Sequence, residues 1–434
     1  MDNCNQRYPW IGVIPASWDI VRIKHIVASE PNSMVDGPFG SDLKNEEYVL
    51  DGVPIIQLNN IGIGYHNIEN LKFITEEKAD QLSRHRIWPG DVVMAKMADP
   101  VARGTIVSDV YPCYIISADC VRIKLSNACL PQFLVYALNS FVKHEAELLA
   151  TGTTRTRINL GIAKNLHVVL PNLEIQQTIV QHLDRRTAEI DSLLADLHAQ
   201  AKMLDRYKRE LIADVVTSGL DKAALRKDSG ADWIGKVPSH WEMTTLRAFL
   251  KAVSVKNSVD LPLLSVEREK GVVDRETEGS ENNHNRIPDD LSNYKVVRTG
   301  DFVMNKMKAW RGSYGVSRYD GIVSPAYFVF ALNFPNPAFF NYAIRSTKYI
   351  GFFGRDSYGI RTDQWDFKIE RIKNIPFAVP PVEEQQAIVE YLDDKIPLIE
   401  GLIADINEQI EKLKQYRQII IHDAVTGKIK VTEG

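Results

Sequence analysis

The stretch LPNLEIQQTIV at residues 170–180 decides the fold, because it returns as VPPVEEQQAIV at residues 379–389. An apolar repeat of seven residues follows each copy, and sustained heptads are typical of long helices that pack against each other. The heptad positions are Leu183, Ile190, Leu197, Leu204 and Leu211 after the first copy, and Leu392, Ile399, Ile406, Leu413 and Ile420 after the second. The sequence therefore predicts two long helices.

The ends of these helices are also marked in the sequence. Gly219 and Gly427 follow the last periodic residues and predict the helix ends. Pro397 lies inside the second heptad run and predicts a kink or an interruption, so the uninterrupted part of that helix should begin near Leu398. The expected lengths are roughly 65 Å for the first helix and 42 Å for the uninterrupted part of the second.

The region before each helix is duplicated as well. WIGVIPASW at 10–18 returns as WIGKVPSHW at 233–241, and GDVVMAKM at 90–97 returns as GDFVMNKM at 300–307. Short β-branched runs, glycine and proline turns and one helical segment per copy indicate mixed α/β modules. An offset of roughly 210 residues indicates a duplicated domain rather than a solenoid of short repeats.

The predicted fold class is therefore α+β. Two mixed α/β modules alternate with two long helices, which pair as an antiparallel coiled coil with an internal pseudo-two-fold repeat. The predicted boundaries are residues 1–172 for the first module, 173–220 for the central helix, 221–381 for the second module, and 382–434 for the C-terminal helix and tail.

Composition restricts the class of protein. The chain has 434 residues, a formal net charge of −4 and 44% hydrophobic residues, which is ordinary for a globular protein. No apolar run approaches 18 residues, so no membrane span is expected. Residues 1–7 lack an apolar signal core, which favours the cytoplasm. The four cysteines lie in the first half without counterparts in the second and are expected to be free thiols.

Motifs for catalysis are not evident. Residues 230–236 have the G-x-x-x-x-G-K spacing of a phosphate-binding loop, but Val237 stands where the magnesium-binding hydroxyl is needed. Asp393, Asp394 and Lys395 lie on the heptad-bearing helix and are expected to form a solvated helix face or an N-cap. The histidines show no metal-binding spacing. The chain is therefore expected to be neither an enzyme nor a metal protein.

Polar and basic side chains recur around the strand-like regions and are candidates for DNA contact. Arginine and lysine neutralise phosphates, whereas asparagine and glutamine can pair bidentately with adenine. Any one of them is also explained as a solvated surface residue, so the clusters at 305–311 and 153–157 are the stronger candidates. The candidates are Lys44, Gln57, Asn59, Asn60, Lys96, Arg103, Arg155 and Arg157 in the first module, and Asn305, Lys306, Lys308, Arg311, Arg355, Arg361 and Gln364 in the second. Tyr314, Tyr358, Trp310 and Trp365 are interleaved for stacking or packing.

The joined pattern resembles the specificity subunit of type I restriction-modification systems. The resemblance is carried by the helix starts at 171–177 and 380–386, the helix ends at 213–219 and 422–428, and the DGPFGS element at 36–41. NKMKAW at 305–310 and SPAY at 324–327 carry it in the second module. The match covers essentially the whole chain. Ile175 departs from the family, which usually has glutamate there.

This resemblance implies a non-catalytic subunit that binds double-stranded DNA, with two target recognition domains that each read one half of a split, asymmetric target. The helices would set the spacing and dock two modification subunits, and two restriction subunits would complete the complex. S-adenosylmethionine, ATP and Mg would bind those partners, and no cofactor would bind this chain. A coiled-coil adaptor without DNA specificity is the main alternative, and an enzyme of unfamiliar site is a second.

Overall fold

The computed structural model describes residues 8–38, 40, 42–97, 100–152, 156–256, 260–268, 270–275, 290–356 and 372–431. The chain divides into two compact units, Met1–Asp196 with Glu408–Gly434, and Leu197–Asn407. Each long helix therefore contributes one part to each unit. The boundaries predicted from the sequence divide the chain by element and keep each helix whole, so they remain a prediction.

The first unit combines short strands with helices. The antiparallel sheet has the order β2-β9-β6-β7, a mixed sheet has the order β4-β3-β8-β5, and β1 pairs with β10. The strands are β1 (Asp19–Arg22), β2 (Met34–Asp36), β3 (Val53–Ile56), β4 (Lys72–Ile74), β5 (Arg86–Ile87), β6 (Val92–Ala95), β7 (Gly104–Ile106), β8 (Tyr114–Ile116), β9 (Cys120–Ile123) and β10 (His167–Leu170). The helices are α1 (Glu76–Gln81), α2 (Pro131–Ala137), which continues through a π-helical turn (Leu138–Val142) into α3 (Lys143–Leu149), and α4 (Leu160–Asn165).

The second unit repeats part of this arrangement. The sheet order β14-β21-β18-β19 matches β2-β9-β6-β7, and the pair β13–β22 matches β1–β10. Two further antiparallel pairs, the hairpin β15–β16 and the pair β17–β20, take the place of the mixed sheet. The elements are β11 (Arg226–Asp228), β12 (Lys236–Pro238), β13 (Glu242–Thr245), β14 (Leu250–Val253), β15 (Leu264–Glu267), β16 (Gly271–Asp274), β17 (Lys295–Val297), β18 (Phe302–Asn305), β19 (Tyr314–Val316), β20 (Gly321–Val323), β21 (Tyr327–Leu332), β22 (Pro376–Val379), and the helices Pro337–Ile344 and Thr347–Asp356.

The duplicated sequence blocks form the centre of each module. Strands β6 and β18 come from the repeated GDVVMAKM and GDFVMNKM stretches, and each is buried along its whole length between two neighbouring strands. A strand buried on both faces needs a continuous apolar run, which these blocks supply. The repeat is therefore a repeat of the fold.

The long helices are α5 (Leu173–Ser218), which follows β10, and α8 (Val382–Val425), which follows β22. The shorter helices of the second unit are α6 (Pro337–Ile344) and α7 (Thr347–Asp356). They are about 69 and 66 Å long at 1.5 Å per residue. In the first unit, the start of α5 contacts the end of α8, where Arg417 donates to Asp191 through Nε at 2.9 Å and through Nη2 at 3.2 Å. In the second unit, the end of α5 contacts the start of α8 through Lys208 and Glu400, 3.1 Å apart. The helices thus pair antiparallel.

The heptad positions lie at the packed faces. Leu183, Ile190, Leu392, Ile399 and Ile420 are buried. The positions Leu197, Leu204, Leu211, Ile406 and Leu413 are half-buried. Such partial burial is expected where a helix has few neighbours along its middle turns.

The prediction that Pro397 interrupts the second helix is wrong. Helix α8 runs through Pro397 without a break, so its uninterrupted length begins at Val382 and not near Leu398. Proline removes one backbone hydrogen bond and leaves the carbonyl four residues earlier unpaired. Pro397 is exposed, so water can satisfy that carbonyl, while buried Leu392 and Ile399 hold the helix on either side.

Both predicted helix ends are confirmed. Gly219 and Gly427 each follow a long helix with φ of +71°, a left-handed conformation that favours glycine. A Cβ on Gly427 would lie 2.6 Å from the ring of Pro15 and 2.9 Å from that of Trp18. A Cβ on Gly219 would lie 3.2 Å from the ring of Trp241. The repeated Trp-Ile-Gly blocks therefore form the surfaces on which the helix ends pack.

Candidate nucleic-acid interface

A polar pocket on the first module brings several predicted residues together. It has a volume of about 350 Å³, and Gln57, Asn59, Ser117 and Asp119 contribute its polar lining. Tyr48, Leu43, Leu58, Pro38, Gly40 and Ala118 complete the wall. We call this cavity the first-module pocket.

Two residues of the DGPFGS element line this pocket, and a third lies beside it. Pro38 and Gly40 line it, and Gly37 lies against the backbone of Ser117. A Cβ on Gly37 would stand 2.1 Å from the Ser117 carbonyl oxygen, so only glycine permits this close approach. The motif that marks the module in the sequence therefore shapes its pocket.

Two predicted DNA contacts instead support the turn that carries Gln57 and Asn59. Asn60 is fully buried: its Oδ1 accepts from the Gln57 backbone N–H at 2.9 Å, and its Nδ2 donates to the carbonyls of Asn67 and Glu69. The Arg103 guanidinium donates to the carbonyls of Ile61 and Leu58 at 2.7 and 2.8 Å. Because these groups are used inside the module, neither is presented for base contact.

Lys96 and Arg157 differ in accessibility. Lys96 is 5% exposed, and its ammonium lies 2.8 Å from a carboxylate oxygen of Asp36, so it is held within the module. The Arg157 side chain is 52% exposed, and Nη2 lies 2.5 Å from a carboxylate oxygen of Asp119 on the pocket wall. Lys44 is exposed and follows Leu43 of the same wall. The half-exposed Arg157 guanidinium therefore lies at the pocket wall, and exposed Lys44 is the chain neighbour of a wall residue.

In the second module the candidates follow the buried strand β18. Asn305 is 7% exposed, and its Oδ1 accepts from the backbone N–H of Met307 at 3.1 Å, which shapes the turn. Lys308 and Arg311 are exposed, whereas Lys306 is half-buried. The Arg311 guanidinium lies 4.3 Å from the centre of the Trp310 ring, within cation–π range. The turn at 305–311 thus presents two cations, one of them held by an aromatic ring.

Sequence reasoning missed two further lysines beside this turn. Lys295 donates to the carbonyl of Tyr327 at 2.6 Å, and Tyr327 is paired with Asn305 in the sheet. Burial lowers the pKa of Lys295, and the positive charges of Lys256 and Lys306 lower it further. Lys295 and Lys256 therefore join the predicted Lys306 in a local positive field, and no repeat or spacing in the sequence marks those two lysines.

Other predicted residues are accounted for as follows. Tyr314 is fully buried and packs against Phe302 and Phe353, so it serves packing and not base stacking. Outside the described residues lie Arg155, Arg361, Gln364, Tyr358 and Trp365, together with the side chain of Arg355.

A repeated hydrogen bond fastens each module to the long helix that follows it. The hydroxyl of Tyr136 donates to Asp184, and that of Tyr342 donates to Asp393, each at 2.6 Å. Asp393 is exposed, as the predicted solvated helix face requires, and it also has this structural partner. Burial, followed by the Asp184 hydrogen bond, raises the pKa of Tyr136 to about 12, so the tyrosine keeps its proton at neutral pH.

The described cysteines are unpaired, and two of them are buried. Cys113, Cys120 and Cys129 are free thiols, as predicted for them, and burial raises the pKa of Cys120 to about 11 and that of Cys129 to about 12. Within the described ranges, no three histidine, cysteine, aspartate or glutamate side chains gather as a metal site. No helix in the same ranges combines the length and apolar character that crossing a bilayer requires.

The fold and these surfaces define a duplicated two-module protein whose exposed polar turns suit nucleic-acid recognition. The sequence profile of the type I restriction modification DNA specificity domain matches residues 102–202 and 261–412, which is more than half of the chain. The chain therefore belongs to this family, whose function is DNA sequence specificity.

Similar proteins agree with this assignment. The chain is 22% identical over 441 residues to the putative type I restriction enzyme MjaX specificity subunit of Methanocaldococcus jannaschii, covering 97% of this chain and 96% of that protein. It is 26% identical over 213 residues to the MjaVIII specificity subunit of the same organism, covering 48% and 47%. A chain solved in a study of complex assembly and conformational transition of the type I R-M system has a TM-score of 0.68 at 16% identity, covering 96% of this chain and 100% of that chain. At that identity the structural likeness shows the fold.

Proposed function

We propose that each module of this chain reads one half of a bipartite, asymmetric DNA target, and that the chain itself carries no catalytic chemistry. The observation that carries this proposal is that equivalent sheets end in different surfaces. After β6, Lys96 is buried against Asp36, whereas its counterpart after β18, Lys306, is half-buried. Lys306 is followed by the exposed side chains of Lys308 and Arg311. A shared frame with different exposed turns suits two different half-sites.

The charge distribution supports binding by local contacts. The formal net charge is −4, so the chain as a whole does not attract phosphates. Exposed Arg157 and Lys44 in the first module, and exposed Lys308 and Arg311 in the second, are cations available for such contacts. Such local contacts position a duplex, and additional phosphate contacts from partner subunits would raise the affinity.

The partners follow from the family and from the exposed helix surfaces. Two modification subunits dock on the paired helices, and two restriction subunits complete the complex. Leu193 and Ile419 in the first unit, and Met203 and Leu398 in the second, are each more than half exposed on the long helices. Exposed apolar side chains on a helix suit burial against a partner. S-adenosylmethionine, ATP and Mg bind those partner subunits. The free thiols of this chain fit a cytoplasmic location.

The helices also set the number of unread base pairs between the half-sites. Support comes from the continuity of α5 and α8, each of which contributes to both compact units. A continuous helix fixes length at 1.5 Å per residue and is stiffer than a loop. Spacer length should therefore depend on the number of helical residues.

A binding selection tests the proposed function. The full chain, alone and assembled with a modification subunit, is incubated with random double-stranded DNA, and the bound fraction is sequenced. The proposal expects the assembled sample to select two specified segments separated by a fixed unspecified stretch. A coiled-coil adaptor would select no sequence in either sample, and that result would overturn the proposal.

A further inference from the structure

A short 3-10 turn, Leu58–Asn60, lines the first-module pocket through Leu58 and Asn59. Asn59 is exposed, and its side-chain amide makes no hydrogen bond within the part of the chain that the structure describes. Gln57 precedes the turn and lines the same pocket. Two residues with amide side chains therefore line the same pocket.

The turn is held in place from both sides. Asn60 and Arg103 make hydrogen bonds to backbone groups of Gln57, Leu58 and Ile61, which flank Asn59. Asn60 also fastens the turn to the chain at Asn67 and Glu69 through its Nδ2. Fixing the backbone in advance lowers the entropy lost when a side chain forms a directed contact.

An ion pair lies at the wall of the pocket. Asp119 would repel phosphate, but its ion pair with Arg157 offsets its charge at the rim. A guanidinium has five N–H donors, so Arg157 keeps donors for a phosphate while it binds Asp119. Lys44 is a second exposed cation, next in the chain to Leu43 of the pocket wall.

We propose that Asn59, assisted by Gln57, reads an adenine in the half-site of the first module, and that Asn60 and Arg103 are positioning residues for this contact. A primary amide offers a donor and an acceptor side by side, which matches N6 and N7 of adenine in the major groove. Arg157 and Lys44 bind the flanking phosphates. This inference rests on the proposed function and adds to it the base and the residues that read it.

The experiment is the binding selection with the chain assembled with its modification subunit, carried out for Asn59→Ala and Gln57→Ala. Discrimination for adenine at one position of one half-site should fall from roughly 5- to 150-fold to near none. The half-site of the second module is the internal reference and stays unchanged. Asn127→Ala, an exposed amide elsewhere in the same module, is the matched control and keeps the wild-type preference.

Positioning is tested with Arg103→Lys, which keeps the charge but loses the planar fork of donors. Discrimination at the same adenine should fall, whereas Val93→Ala, a buried core change, should lower the melting temperature without altering base preference. Equal base preference in Arg103→Lys and wild type would overturn the positioning role.

The outcomes separate the two proposals. If the wild-type complex selects no bipartite sequence, the proposed function fails, and this inference fails with it. If the wild type selects a bipartite sequence that Asn59→Ala and Gln57→Ala leave unchanged, the proposed function stands and this inference is wrong. Loss of preference at a base other than adenine, or at both half-sites equally, also overturns it.

Discussion

Replacing Gln176 by alanine should destabilise its helix start far more than the equivalent change at Gln385. Both side chains are buried and occupy the same position of the repeated motif. Gln176 accepts from the Leu130 backbone N–H at 2.8 Å and donates to the carbonyls of Ala128 and Pro171. Gln385 donates to the Pro380 carbonyl, and its Oε1 has no partner among the described residues.

The difference can be estimated from these hydrogen bonds. Three bonds at about 1 kcal/mol each indicate a loss of about 3 kcal/mol for Gln176→Ala, with the Leu130 N–H left unsatisfied. Gln385→Ala loses one hydrogen bond but also removes a buried acceptor without a partner among the described residues. The helix start should therefore lose about 1 kcal/mol of stability or less. The cavities left by the two changes are alike and largely cancel in the comparison.

Hydrogen exchange measured by mass spectrometry can follow the two units separately, since peptides report on each one. Opening at the start of α5 should increase roughly 150-fold for Gln176→Ala, and opening at the start of α8 at most about 5-fold for Gln385→Ala. The exposed neighbour Gln177→Ala is the control and should change neither. Equal effects at the two glutamines would refute the hydrogen-bond reasoning.

Three further predictions concern specificity, spacing and pH. Arg311→Ala should disturb only one half-site in the sequences that the assembled complex selects, because the residue belongs to one module's turn; equal loss at both halves would indicate general unfolding. Lengthening the first helix should change the spacer and leave both half-sites intact. Seven residues inserted after Asp196, matched by seven after Asn407, add about 10 Å, or about three base pairs. Mapping of modified sites that showed altered half-sites with an unchanged spacer would contradict this. Burial lowers the pKa of His66, whose Nδ1 accepts from the Ser108 backbone N–H. The folded chain therefore binds the proton less readily than the unfolded chain, and stability should fall as pH drops below the ordinary histidine value of 6.5. The free energy of unfolding in urea should differ less between pH 8 and pH 5.5 for His66→Gln than for the wild type. An unchanged difference would show that His66 does not cause the loss of stability at low pH.

The long helices and their glycine ends were predictable because heptads and left-handed caps are local signals. Pro397 was misjudged because the effect of proline depends on whether water reaches the freed carbonyl, and exposure is a tertiary property. The helix therefore continues where the local rule predicted a break.

The candidate DNA contacts were less predictable, since residue type does not show whether a side chain is already used. Asn60, Lys96 and Arg103 have the right chemistry, yet partners up to 60 residues away in the chain occupy them inside the module. Lys295 was missed for the related reason that its neighbours come from distant strands. Burial and long-range hydrogen bonds distinguish residues that support the module from residues that are exposed for DNA contact. Both properties arise only in the folded chain.

The most direct test of two-part reading is a map of modified adenines in DNA from cells that carry this chain and its modification subunit. The map is made for the wild type, for Asn59→Ala and for Arg311→Ala. Two specified segments at a fixed spacing are expected in the wild type. Each variant should weaken the base preference in a different segment, while the spacing stays constant. A single continuous motif would contradict reading by two separate modules. So would a loss of base preference in the same segment for both variants.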